Sequence, residues 1–173
     1  FPYTTLFRSA ITLTAGNNVC LAVTNGDVAA AAPTIASSPT ATWTLRGTFQ
    51  DATNDQDVRI YEARGVTGGS TTITATWGTA VGARGMAVVE TTGDDQFEAG
   101  TCVGQSQAAT TATDNVTSGN TPTLPDQPAL VIGFCIDTDV TATPAAGTGY
   151  TSAASGWGFG GTAAGRAESK RVT

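Results

Sequence analysis

The residues able to do chemistry are few, and their spacing argues against catalysis. The chain has no histidine, so neither a Ser–His–Asp nor a Cys–His arrangement can be built. Ser–Lys chemistry would have to use Lys170, the sole lysine. Cys20, Cys102 and Cys135 show no CxxC spacing, which argues against zinc or copper. Glu62 and Glu90 fall in strand-like runs, and paired carboxylates can hydrolyse glycosidic bonds when held across the bond at a set separation. Nothing in the sequence fixes that separation. Glu90 follows Val88 and Val89; if Val88 faces the core then Glu90 does too, where a carboxylate needs a partner such as Arg64 or Arg84. The expectation is a buried structural carboxylate, no catalytic residue and no cofactor.

Oxygen-rich loops are the next candidates. Asp94, Asp95 and Glu98 form the densest acidic stretch, and Asp51, Asp55 and Asp57 form another. Calcium takes six to eight oxygens, but neither spacing fits a known calcium loop. Aspartates that cap turns by bonding nearby backbone already explain both, so no metal site is expected. The aromatic stretch Gly156-Trp-Gly-Phe-Gly-Gly161 is more unusual. Trp157 and Phe159, two residues apart and flanked by glycine, are the ligand-binding candidates, with Tyr150 as a third ring. Either they stack on sugars or they plug one end of the fold, because aromatic rings bring large buried area.

Composition sets the frame that must position these residues. Hydrophobic residues make up 40% of the chain and charged residues 13%, about half the usual charged share. Thr, Ala and Gly fill the gap, which suits pleated strands and tight turns more than helices. The net charge is −6 with only eight basic residues, so phosphate neutralisation, and with it nucleic-acid binding, is disfavoured. No apolar run reaches the length of a membrane helix.

Strand candidates recur at residues 10–14, 18–24, 42–48, 57–64, 70–77, 84–91, 101–107, 129–136 and 166–173, with weaker ones at 115–118 and 156–160. Turn residues separate them, as in a sandwich or barrel. The clearest is 70–77, where Ile73, Ala75 and Trp77 share one face and Thr72, Thr74 and Thr76 the other. Val66-Thr-Gly-Gly69 predicts a hairpin joining it to the preceding strand. Residues 26–39 and 108–128 read as loops, and Asn115-Val-Thr117 fits a glycosylation acceptor without informing on function. Alternation sets Cys20 opposite Val19, Leu21 and Val23, and Cys135 opposite Leu130, Ile132, Phe134 and Ile136. Either the two thiols form a disulfide or both are small buried side chains. The fold expected is all-β, a single antiparallel β-sandwich, jelly-roll-like, of about nine strands in two packed sheets.

The domain is expected to run over residues 10–173. Residues 1–9 translate, without mismatch, the end of a common short-read sequencing adapter, as at the edge of a metagenomic contig; the alternative is a genuine aromatic strand. A foreign segment of this kind belongs outside fold reasoning.

The order of segments resembles a β-sandwich module of phage virion proteins and secreted bacterial surface proteins. The likeness rests on Gly16-Asn-Asn-Val-Cys-Leu-Ala-Val23, Thr42-Trp-Thr-Leu45, the 60–69 and 72–77 runs, Val88-Val-Glu-Thr-Thr-Gly93, Pro128-Ala-Leu-Val-Ile-Gly133 and Gly147-Thr-Gly-Tyr-Thr151. It spans nearly the whole chain through patterns, none of them catalytic. The resemblance implies a non-catalytic structural or adhesion module, virion-borne or extracellular, whose partners are proteins of the assembly or surface glycans. It also implies a further strand beyond residue 173, so that the domain is cut short at its C-terminus. The alternatives are a carbohydrate-binding module and, third, a polysaccharide-active enzyme.

Overall fold

In the computed structural model, which describes residues 3–52, 55–92, 129–137, 146–157 and 164–172, the segment from Asn18 to Asn25 is buried at every position. A strand with one wet face alternates; one buried throughout lies in a middle layer. The described residues are all-β, in ten strands. These are β1 (Tyr3–Leu13), β2 (Asn18–Asn25), β3 (Thr34–Ser38), β4 (Thr44–Asp51) and β5 (Gln56–Ala63). They continue as β6 (Gly69–Val81), β7 (Arg84–Thr91), β8 (Ala129–Asp137), β9 (Thr151–Trp157) and β10 (Ala164–Val172). All pairings are antiparallel. No helix among the described residues is long and apolar enough to cross a membrane.

Three sheets form, ordered β1–β6–β3, β4–β5–β2–β7 and β8–β10–β9. The four-stranded sheet is central. One of its faces sends Leu21, Val23, Tyr61 and Met86 against Ile73, Ala75 and Trp77 of the β1–β6–β3 sheet. Its other face sends Cys20, Ala22, Ala87 and Val89 against Ala167, Ile132 and Phe134 of the β8–β10–β9 sheet. Each fully buried Leu or Ile contributes about 1.5–3 kcal/mol, so the first core is the heavier one. The second is built from small side chains on its central side, which is why two sheets rather than three were expected from sequence.

Strand β6 has the predicted alternation, with Ile73, Ala75 and Trp77 buried and Thr76 exposed. Its expected hairpin with β5 does not form: β5 pairs with β2 and β4, whereas β6 pairs with β1 and β3. The glycines serve a crossing between sheets instead. Val66 exchanges backbone bonds of 2.9 Å with Gly16 and Asn17 in the β1–β2 turn. At Gly68, φ is +81° and a Cβ would sit 2.5 Å from the Ala15 nitrogen. Only glycine fits that approach.

Two further elements differ from expectation. Strand β3 lies inside the 26–39 stretch read as loop; it has one large apolar residue, Ile35, and Pro33 precedes it. Strand β1 begins at Tyr3, not residue 10, and Tyr3 through Arg8 pair with β6 between Val81 and Ile73. Arg84 Nη1 donates to the Thr5 carbonyl at 2.8 Å. Whatever the origin of residues 1–9, the described part of them is a strand of this sheet.

Candidate functional site

Tyr150 enters β9 from a turn. Its amide donates to the Gly147 carbonyl at 2.9 Å, and Gly149 takes φ +81°. The other half of the site lies on β10, which pairs with β8 in unbroken register from Ala164 to Val172. Ala167 is fully buried against the central sheet. Strand alternation therefore turns Glu168 and Lys170 to the opposite, outer face. There Glu168 Oε2 accepts the Gly147 amide at 2.8 Å, and Lys170 Nζ stands 5.5 Å from the Tyr150 ring centroid, within reach of a cation–π contact. Tyr150, Glu168 and Lys170 are each half-buried. A ring, a carboxylate and an ammonium thus meet on one sheet face. Sequence reasoning found the ring and missed its partners, because the alternation of Glu168 and Lys170 shows a shared face but not which loop folds over it.

The backbones of Tyr150 and Trp157 lie apart along β9. Tyr150 precedes β9 and Trp157 ends it, opposite Gly165. At about 3.3 Å per residue, seven residues put their backbones on the order of 20 Å apart. The Trp157 side chain and the whole of Phe159 lie outside the described residues.

The candidate carboxylates are split as well. Cys20 lies across from Glu62 and Val89, and Val19 across from Ala63 and Glu90. Glu62 thus shares a face with Cys20 and Glu90 with Val19, so the two project from opposite faces of the central sheet and cannot flank one glycosidic bond. Glu62, 2% exposed, accepts Arg46 Nε at 2.5 Å and also pairs with Arg64. Glu90 Oε1 accepts the Thr14 amide at 2.6 Å and Asn17 Nδ2 at 2.8 Å. Glu90 is half-buried rather than buried, and instead of the expected arginine it holds the β1–β2 turn.

The second acidic loop divides in the same way. Asp55 Oδ1 accepts the Val28 amide at 2.8 Å, while Asp57 is wholly buried beside Arg59, whose Nη2 lies 2.6 Å from Asp57 Oδ2. Arg59 Nη2 also donates to the Ala30 carbonyl at 2.6 Å, and the Tyr61 hydroxyl to the Pro33 carbonyl at 2.8 Å. Burial, with the Asp57 charge adding and Arg59 opposing, pushes the Tyr61 phenol from 10.0 up to about 12. These groups strap residues 26–33 to the central sheet. Among the described residues no three metal-type side chains converge. Asp94, Asp95, Glu98, Cys102 and Asn115 lie outside the described residues.

Cys20 is buried with Val89, Ala167, Ile60, Ile132 and Phe134. From β8, Ile132 and Phe134 reach it. Cys135, of the other parity, lies across from Arg166, and its side chain is outside the described residues.

No protein-family model, curated protein or solved structure matches this chain.

Proposed function

We propose that the chain is a non-catalytic structural or adhesion module of a phage virion or an exported surface protein. The supporting observation is how its buried charge is used. The buried Asp57 and Glu62 are tied to arginines, and the half-buried Glu90 is tied to the β1–β2 turn. A catalytic carboxylate must lie within reach of its substrate, and Asp57 and Glu62 are buried. Its partners on this reading are proteins of the assembly, or surface glycans. Genomic context tests it: portal, tail or capsid genes beside this one are expected, and a neighbourhood of polysaccharide-degrading genes would contradict it.

A second reading, a carbohydrate-binding module, draws on the Tyr150 site. A half-buried ring beside polar groups is the usual make-up of a sugar subsite, apolar body with placed hydrogen-bond partners. Loss of glycan binding in Tyr150→Ala, with melting unchanged, would support it.

A further inference from the structure

We propose that the outer face of the β8–β10–β9 sheet takes an acidic sugar, a glycan unit that carries a carboxylate. This rests on the glycan reading of Tyr150 and goes on to name the ligand class.

The first ground is the placement of charge. The chain is acidic overall, at −6, and Lys170 is its sole lysine. An acidic protein repels an acidic glycan except where a cation is held in place. That lysine lies beside the Tyr150 ring at 5.5 Å, so its ammonium is positioned next to the surface on which a pyranose would stack.

The second ground is the room around these groups. Gly133, Gly147 and Gly149 border the cluster. A Cβ at Gly133 would come within 3.2 Å of Glu168, and one at Gly149 within 3.3 Å of Lys170 Nζ, where φ +81° already disfavours a side chain. One at Gly147 would lie 3.4 Å from Tyr150 Cδ2. Glycine at 133 and 149 leaves Glu168 and Lys170 uncrowded, and a Cβ at 147 would only touch Tyr150.

The third ground is division of labour. Glu168 Oε2 is occupied by the Gly147 amide, which fixes the carboxylate, and among the described residues Oε1 is left to accept a sugar hydroxyl. Lys170 then supplies a charge-assisted bond to the sugar carboxylate, and Tyr150 the stacking surface. Charge-assisted bonds are about twice as strong as neutral ones, so the lysine sets preference while the ring sets affinity.

Calorimetry with the whole chain tests this, using galacturonate, glucuronate and sialyl oligomers and their methyl-esterified forms as probes. We expect at least one acid oligomer to bind, with its ester weaker by roughly tenfold, the scale of one charge-assisted bond. Lys170→Gln should bring acid and ester to the same affinity. Tyr150→Ala should abolish binding of both, and Tyr150→Phe should retain it, which separates loss of the ring from loss of fold. Equal binding of acid and ester by the wild-type chain would overturn the acidic class and leave the glycan reading standing. Binding of neither would overturn both.

Discussion

Asp57 and Glu62 sit five positions apart on β5, one on each face of the central sheet, and the protein treats them differently. Asp57 is 0% exposed and has one arginine, Arg59, itself 8% exposed. Glu62 is 2% exposed but has two arginines, Arg46 at 22% and Arg64 at 43%. The Asp57 side is closed: Asn25 Nδ2 adds a bond of 3.4 Å, and among the described residues Asp57 Oδ1 has no partner. The Glu62 side opens at the β4 edge, where its arginines reach water. Burial of the carboxylate is nearly equal, so the difference lies in what happens to the cation when the pair is broken. A trapped guanidinium keeps its full desolvation cost; one near the surface can turn outward.

The largest effect should therefore come from Asp57→Ala. It strands Arg59 and should cost about 3–5 kcal/mol, a large share of a typical domain's 5–15 kcal/mol, read from the denaturant midpoint. Glu62→Ala should cost about 1–3 kcal/mol, because its arginines rehydrate. An equal or larger loss for Glu62→Ala would break the comparison.

Tyr61 sharpens it from the Asp57 side. The folded phenol ionises near 12 rather than 10.0, so stability is full below the unfolded value and is lost as pH rises through 10 towards 12. The loss should approach about 3 kcal/mol. Tyr61→Phe should cost about 1 kcal/mol at neutral pH for its missing bond to Pro33 and should flatten the alkaline limb. An unchanged limb in the variant would place the titration elsewhere. The smallest effect belongs to Arg46→Ala, at about 1 kcal/mol or less, since Arg64 still holds Glu62.

What could be read from the sequence divides along the same lines. Parity is local, so the faces of β6 and the opposition of Cys20 to Leu21 were legible, whereas the arginine-paired carboxylate proved to be Glu62 rather than the expected Glu90. Partner choice is not local. The paired glycines after Val66 fit a hairpin equally well, and only the close approach of Ala15 to Gly68 makes them a crossing. Strand β3 was hidden because Thr34–Ser38 holds a single large apolar residue. The third layer was hidden because Cys20, Ala22 and Ala87 are too small to announce a core. At the site, Tyr150 was visible as a ring, yet its distance from Trp157 depended on β9 lying between them.

Hydrogen exchange at residues 26–33 tests the central claim most directly, that the buried charges of β5 are there to hold backbone. The Val28 and Ala29 amides bond to Asp55 and Asp27, while Arg59 grips the loop through the Ala30 carbonyl. In Asp57→Asn these amides should exchange faster than in wild type while the β2 amides stay protected; in Glu62→Gln they should not change. Identical exchange across this loop in wild type and Asp57→Asn would contradict the account.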